Sequence, residues 1–135
     1  MRVFFYGLFM DEKLLAEKGV QARDSAVGSV DGYALRIGQR ATLTKDQGAQ
    51  AFGKLMDLAA NDITELYSEE SVADYLPETL AISLDDGSTV EATCYNLPED
   101  KVEGANRDYA EALLKLATKL GLPNAYLLQI RQFIE

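Results

Sequence analysis

The first residues of the chain constrain its fold most, because they place a short buried strand directly before a glycine turn. Residues 2–6 form an almost continuous apolar and aromatic run, which is typical of a strand covered on both faces. Gly7 interrupts this run. Residues 11–18 are rich in helix formers, with acidic residues in the first turn and Gly19 at the end. The sequence therefore predicts a strand, a tight turn and a helix within residues 2–18.

The predicted turn is a candidate binding element. Glycine has no side chain, so a ligand can approach the backbone at Gly7, and the first N–H groups of the following helix have no partners within the helix. We take Tyr6, Gly7, Leu8 and Phe9 as candidate substrate-binding residues. The alternative is an ordinary glycine turn that ends a buried strand and binds nothing.

Length and charge limit the domain count and the partners. A chain of 135 residues is predicted to form a single domain, residues 1–135, with one core. Lys and Arg total 13 against 22 Asp and Glu, and the formal net charge of −9 argues against nucleic acid or an anionic membrane as partner. The apolar run before Asp11 is too short for a signal peptide or a membrane helix, so we expect a cytoplasmic protein.

The absence of histidine and the single cysteine, Cys94, narrow the chemistry. They exclude disulfides within the chain, histidine-based triads and histidine-ligated metal sites. The aspartates do not have the spacing of a metal-binding loop, and we predict neither a metal nor a cofactor. Cys94 lies in a predicted strand with no histidine to activate it, so we interpret it as a small buried apolar residue.

Strand patterns dominate the first two thirds of the chain and helical patterns the last third. Strands are predicted at 26–37, 41–44, 50–58, 79–84 and 89–95, with turns at 38–40, 45–48 and 85–88. These proportions indicate the α+β class, with a mixed or antiparallel sheet that can curl into a small barrel.

Capping residues indicate where the remaining helices begin. Asn61 or Asp62 is predicted to cap a short helix that ends near residues 69–71. Apolar residues at three- and four-residue steps from Asn106 predict an amphipathic helix that ends at Gly121. Asn124 is predicted to cap a final helix over 125–134.

Two adjacent carboxylates, Glu69 and Glu70, are candidates for acid–base chemistry. If one of them points inward among neighbouring apolar groups, desolvation raises its pKa and makes it a base usable near neutral pH, while the other stays in water. The alternative is a solvated pair at the end of a helix. Four tyrosines are candidate sources of pocket hydroxyls, with core packing as their alternative: Tyr75, Tyr95, Tyr109 and Tyr126.

Several segments, taken in order, resemble the γ-glutamylcyclotransferase-like family. They are the first strand with the Tyr6-Gly7 turn, Gly32-Tyr33-Ala34-Leu35, the 52–58 strand, the Leu66–Val72 segment, Tyr75, Cys94-Tyr95, Tyr109, and Gly121-Leu122-Pro123 with Tyr126. Within the Leu66–Val72 segment, Glu70 occupies the position of the family's catalytic glutamate. The resemblance thus extends over nearly the whole chain.

The resemblance implies a small mixed β-barrel with flanking helices. Its cavity would hold a small γ-glutamyl substrate and release 5-oxoproline, without a metal or cofactor. Glu70 would be the catalytic base, the backbone at Gly7 and Leu8 would bind the substrate carboxylate or the oxyanion, and Tyr75 and Tyr109 would line the pocket.

Three positions depart from the family pattern. Leu8 replaces a serine or threonine, Tyr67 replaces an aspartate, and Ser71 replaces a glycine. A non-catalytic binding module on the same fold is therefore the alternative function, and a structural or dimerising domain with its cavity filled by Phe9 and Met10 is a third. The sequence leaves open which γ-glutamyl compound is bound and whether the protein is a homodimer.

Overall fold

Five strands form a closed barrel in the computed structural model, which describes residues 1–134. The strands are β1 (Arg2–Phe5), β2 (Arg23–Ile37), β3 (Ala41–Asp57), β4 (Leu76–Leu84) and β5 (Thr89–Asn96). They lie around the barrel in the order β1, β3, β2, β4, β5. β1 is parallel to β5, whereas every other neighbouring pair is antiparallel. The predicted small mixed barrel is confirmed.

Four α-helices flank the barrel among the described residues. They are α1 (Glu12–Glu17), α2 (Ala60–Leu66), α3 (Arg107–Lys119) and α4 (Asn124–Arg131). Short 3₁₀ helices occupy Leu8–Met10, Glu70–Val72 and Glu99–Lys101. Within residues 1–134, no helix combines the length and the apolar character needed to cross a membrane.

Strand β1 is buried on both faces, as its sequence predicts. Val3, Phe4 and Phe5 are each at most 2% exposed. On β3, a Cβ atom at Gly53 would lie 2.3 Å from the carbonyl oxygen of Phe5 and 2.8 Å from the Phe4 ring. Only glycine therefore lets β3 approach β1 this closely.

Strand β3 is longer than its sequence pattern predicts. The two strands expected at 41–44 and 50–58 are one continuous strand, and the expected turn at 45–48 is a bulge within it. In the pairing with β2, Asp31 lies opposite Gln50 and Tyr33 lies opposite Lys45. One residue of β2, Gly32, therefore faces the four residues 46–49 of β3. Gly32 and Gly48 take φ values of +80° and +88°, which other residues adopt rarely, and this freedom lets the extra residues fit without ending the strand.

The helix boundaries show one cap that the sequence pattern left unassigned and correct two that it predicted. The Asn106 side chain accepts a hydrogen bond from the Tyr109 N–H at 3.0 Å, so Asn106 caps α3, the amphipathic helix predicted from this residue onward. Helix α4 instead begins at Asn124 itself, after Pro123, whose φ of −56° already suits helix entry. The predicted cap at Asn124 is wrong for this reason.

Helix α2 is displaced toward the N-terminus relative to the prediction. It begins at Ala60 and its capping residue, Ala59, makes no side-chain hydrogen bond, so Asn61 and Asp62 lie inside the first turn. It ends at Leu66 rather than near residues 69–71. The chain then turns at Tyr67 before a separate 3₁₀ helix begins at Glu70, and this turn decides which way the two glutamates face.

Side chains join β3 to β5, which are not paired as strands. Thr42 is fully buried, and its hydroxyl accepts the Leu97 N–H at 2.8 Å. The Leu43 N–H donates to the Asn96 side-chain oxygen at 3.3 Å. These bonds satisfy backbone groups that no neighbouring strand reaches, so they stabilise this end of the barrel.

Replacement of Thr42 by valine tests the contribution of this link. Valine has nearly the same shape but leaves the partly buried Leu97 N–H without an acceptor, so we expect Thr42→Val to lower the free energy of unfolding by about 1–3 kcal/mol. Urea denaturation measures the change. Thr44→Val is the matched control, because no hydrogen bond of the Thr44 side chain occurs within residues 1–134; its effect should stay within about 0.5 kcal/mol. Equal losses in both variants would contradict the role of Thr42.

Candidate functional site

A cavity of about 250 Å³ opens beside the turn that follows β1. This volume lies close to the lower end of the roughly 300–1,000 Å³ typical of small-molecule sites. The wall comes from separate segments of the chain: Phe5, Tyr6, Gly7, Leu8, Phe9, Leu14, Lys18, Arg40, Ala41, Tyr67, Glu69, Ser71, Val72, Tyr75 and Tyr109.

The structure brings all six candidate substrate-binding residues to this one cavity: Tyr6, Gly7, Leu8, Phe9, Tyr75 and Tyr109. Phe9 forms part of the wall and Met10 is buried in the core, so neither residue fills the cavity. Glu70 is not part of the wall. The binding roles of the six residues and the catalytic role of Glu70 remain predictions.

Gly7 is required by a close contact with Tyr109. Its backbone is extended, with φ −107° and ψ −152°, so the need for glycine is not conformational. A Cβ atom at Gly7 would lie 2.6 Å from the Tyr109 hydroxyl oxygen. That oxygen accepts the Leu8 N–H at 3.3 Å. Gly7 therefore allows α3 to place a hydroxyl against the turn.

Two backbone donors at this turn have no acceptor within residues 1–134. The Leu8 N–H is bonded to Tyr109 and the Met10 N–H to the Gly7 carbonyl oxygen. The hydrogen bonds of residues 1–134 include none donated by the N–H of Gly7 or of Phe9. Both residues line the cavity, so these two N–H groups are candidate donors to a ligand.

Tyrosines form much of the cavity wall. Tyr67 stacks on Tyr95 with 4.1 Å between ring centroids, and the Tyr75 hydroxyl donates to the Ala41 carbonyl. The Tyr6 hydroxyl donates to the Tyr95 carbonyl at 2.7 Å. Burial raises the pKa of Tyr6, Tyr67 and Tyr75, so these hydroxyls stay protonated at neutral pH.

Two of the four candidate pocket tyrosines lie outside the wall. Tyr95 stacks on the ring of Tyr67 but does not line the cavity. Tyr126 is buried against Phe52, with 5.3 Å between the ring centroids. The core-packing alternative therefore holds for Tyr95 and Tyr126.

The two adjacent glutamates face different surroundings. Glu69 lines the cavity, and its Oε1 lies 2.7 Å from the Nζ of Lys18 at the end of α1. Glu70 is exposed at the start of its 3₁₀ helix, although both of its neighbours, Glu69 and Ser71, belong to the wall. The local sequence pattern identified the pair without showing which member faces the cavity, and the family resemblance placed the catalytic role on Glu70, whereas the wall contains Glu69.

Arg40 is a wall residue that sequence reasoning missed. It ends the turn between β2 and β3, and no periodic pattern marks it. The turn reaches the cavity because the Gln39 N–H donates to the Glu103 carbonyl at 3.0 Å and the Asn106 side-chain amide donates to the Gln39 carbonyl at 3.1 Å. Only the fold reveals this contact between distant segments.

The described residues contain no metal-binding cluster. Within residues 1–134, no group of three or more His, Cys, Asp or Glu side chains is arranged to hold a metal ion. Cys94 is fully buried, and burial raises the pKa of its thiol, which confirms its interpretation as a small core residue.

The structure combines a closed mixed barrel with a cavity at the end of its first strand, and comparison with known proteins specifies the family. A model of the AIG2-like family matches residues 50–130, which is more than half of the chain. The chain therefore belongs to the AIG2-like family. Curated protein sequences include no match to it.

Solved structures confirm the γ-glutamylcyclotransferase-like fold. One named gamma-glutamyl cyclotransferase is 16% identical, with a TM-score of 0.79 over 98% of this chain and 87% of its own. An uncharacterized protein from Homo sapiens is 17% identical, with a TM-score of 0.77 over 98% of this chain and 86% of its own. YkqA from Bacillus subtilis is 20% identical, with a TM-score of 0.82 over 99% of this chain but 54% of its own. At these identities the likeness shows the fold alone.

The contact between Gly7 and Tyr109 can be tested by a double-mutant cycle. Gly7→Ala forces a methyl group against the Tyr109 hydroxyl and should cost about 1–3 kcal/mol of unfolding free energy. In a Tyr109→Phe background the nearest atoms to that methyl group are 3.9 Å away, an ordinary contact distance, so most of the cost should vanish.

Urea denaturation of the wild type, both single variants and the double variant measures the interaction energy, which we expect to be at least about 1 kcal/mol. A cost of Gly7→Ala that is the same in both backgrounds would show that the hydroxyl is not what excludes a side chain at Gly7.

Proposed function

We propose that the protein is a cytoplasmic γ-glutamyl cyclotransferase-like enzyme that releases 5-oxoproline from a small γ-glutamyl amine or amino acid. The observation that carries the proposal is a single cavity that joins the two unpaired N–H groups of the Gly7 turn to the segment bearing Glu69 and Glu70. Family membership and the fold shared with a named gamma-glutamyl cyclotransferase support the same reaction class.

The reaction needs positioning more than reactive groups. The α-amine of the substrate attacks its own γ-carbonyl carbon, the new C–N bond closes the ring, and the γ-amide C–N bond breaks. Both reacting groups belong to one molecule, so a cavity that holds the substrate folded removes much of the barrier. A small, mostly aromatic and aliphatic cavity is suited to this task.

Negative charge develops on the γ-carbonyl oxygen as the ring closes. Backbone N–H groups aimed at such an oxygen stabilise it without reorganisation. The N–H groups of Gly7 and Phe9 are the donors we assign to this role. The loss of a serine or threonine hydroxyl at Leu8 removes a side-chain donor but leaves these backbone donors in place.

A base must remove two protons in turn from the α-nitrogen, one from the ammonium group before attack and one as the ring closes; an acid must return one proton to the departing nitrogen so that it leaves as an amine, and the other goes to solvent. We propose Glu70 for these transfers, because its place in the chain resembles that of the family's catalytic glutamate. Glu70 is exposed in the free protein, so this role requires its side chain to rotate toward the cavity when substrate binds. Glu69 needs no such rotation, but it must leave Lys18 before it can accept a proton.

Single glutamine variants distinguish the two glutamates. We expect Glu70→Gln to lower kcat for 5-oxoproline release by about 10²–10⁴-fold, because the amide cannot accept the proton. Glu69→Gln breaks a partly exposed ion pair worth at most about 1 kcal/mol and should change kcat less than about tenfold. Product formation from a panel of γ-glutamyl amines and amino acids measures both effects.

Glu65→Gln on the exposed surface of α2 is the control and should leave kcat unchanged. Thermal unfolding of all three variants should stay close to that of the wild type, since the Glu70 side chain makes no hydrogen bond within residues 1–134 and Glu69 loses only a partly exposed ion pair. If Glu69→Gln abolishes the activity and Glu70→Gln retains it, the base is Glu69.

A non-catalytic binding module is the second candidate function. The observation that favours it is the hydrogen bond from the Leu8 N–H to Tyr109, which occupies one of the backbone donors of the turn. Stabilisation of the protein by γ-glutamyl compounds without any 5-oxoproline release would support the module and contradict the enzyme.

A further inference from the structure

Arg40 gives the cavity an uncompensated positive charge. The charged side chains of the wall are Lys18, Arg40 and Glu69, and the first and last of these form an ion pair with each other. No acidic side chain of residues 1–134 forms an ion pair with Arg40. The cavity is thus locally cationic although the chain carries a net charge of −9.

The turn that bears Arg40 is held against the start of α3. A Cβ atom at Gly38 would lie 2.5 Å from the Glu103 carbonyl oxygen, so glycine is needed for this packing. The Asn106 side chain donates to the Gln39 carbonyl and accepts the Tyr109 N–H. One amide side chain therefore fixes Arg40 and Tyr109 relative to each other.

Arg40 and Gly7 both line the cavity, and the residue after Arg40 adjoins the turn, since the Cβ of Ala41 is 3.9 Å from the position of a Cβ atom at Gly7. Burial raises the pKa of the Tyr75 and Tyr109 hydroxyls, and the positive charge of Arg40 opposes this rise at both. The Tyr109 hydroxyl also accepts the Leu8 N–H. A guanidinium group, two tyrosine hydroxyls and free backbone N–H groups thus border one region of the cavity.

A half-buried guanidinium group without a counterion is costly to maintain, and a carboxylate satisfies it with two parallel hydrogen bonds. We propose that Arg40 binds the α-carboxylate of the ligand, so that the cavity selects small α-carboxylic acids over the corresponding amides. The identity of the ligand as a γ-glutamyl compound rests on the proposed function, whereas the preference for an acid rests on Arg40 itself.

The test compares two probes that differ only in this charge, L-5-oxoproline and its uncharged carboxamide. Isothermal titration calorimetry at low ionic strength measures their affinities for the wild type, Arg40→Gln and Arg40→Lys. We expect the wild type to bind the acid about 10–100-fold more tightly than the amide, as charge-assisted hydrogen bonds predict. Arg40→Gln should lose this preference, and Arg40→Lys should keep part of it because lysine retains the charge without the paired geometry.

Arg36→Gln is the matched control, because Arg36 lies on the same hairpin, is exposed and is not part of the wall. It should retain the full preference for the acid. Absence of the preference in the wild type, failure of the wild type to bind either probe, or persistence of the preference in Arg40→Gln would each overturn the proposal. Loss of the preference in Lys18→Gln but not in Arg40→Gln would also overturn it, since the anchor would then be Lys18.

The outcomes separate this inference from the proposed reaction. If no γ-glutamyl compound releases 5-oxoproline but the preference is present and depends on Arg40, the inference stands and the enzymatic function fails. If turnover occurs and Arg40→Gln leaves KM unchanged, the enzymatic function stands and the role of Arg40 is refuted.

Discussion

The barrel closes through β1, because this strand pairs with β3 on one side and with β5 on the other. The closure depends on Gly53, since any side chain there would collide with the carbonyl oxygen of Phe5 and push β1 outward. The closed position of β1 in turn fixes the point at which the chain leaves the barrel at Gly7. The location of the candidate binding turn is therefore a consequence of strand packing, and a change that loosens β1 would also displace the turn.

The cavity wall is assembled from segments that are far apart in the chain, and Asn106 connects two of them. Its amide caps α3, which places Tyr109 against Gly7, and holds Gln39, which places Arg40 beside the same turn. Because intramolecular ring closure draws most of its rate from geometry, such positioning contacts matter as much as any single reactive group. A residue that never touches the ligand can thus decide whether the proposed site is competent.

Features that depend on local chain geometry were predictable, and those that depend on long-range packing were not. The turn at Gly7 and the amphipathic helix that follows Asn106 come from short sequence patterns, and both were predicted correctly. The orientation of Glu69 depends instead on where α2 ends, and a shift of a few residues in that boundary changes which glutamate faces the cavity. Arg40 reaches the wall only because its turn packs on Glu103, which no local pattern encodes. The barrel could be predicted from the sequence, because the order of strand-like and helical segments restricts the topology of a fold more than it restricts the position of any side chain.

A net charge of −9 does not oppose an anionic ligand at this cavity. At physiological ionic strength the Debye length is about 8 Å, so exposed carboxylates farther away than this contribute little to the potential at the wall. A guanidinium group in direct contact acts where solvent is partly excluded, and its hydrogen bonds to a carboxylate are worth about 1.5–3 kcal/mol. The local interaction therefore outweighs the overall charge.

A nucleic acid or a membrane extends over many Debye lengths and meets the whole acidic surface, whereas a small carboxylate meets only Arg40 and its neighbours. The same charge that argues against polyanionic partners is for this reason compatible with a monocarboxylate ligand.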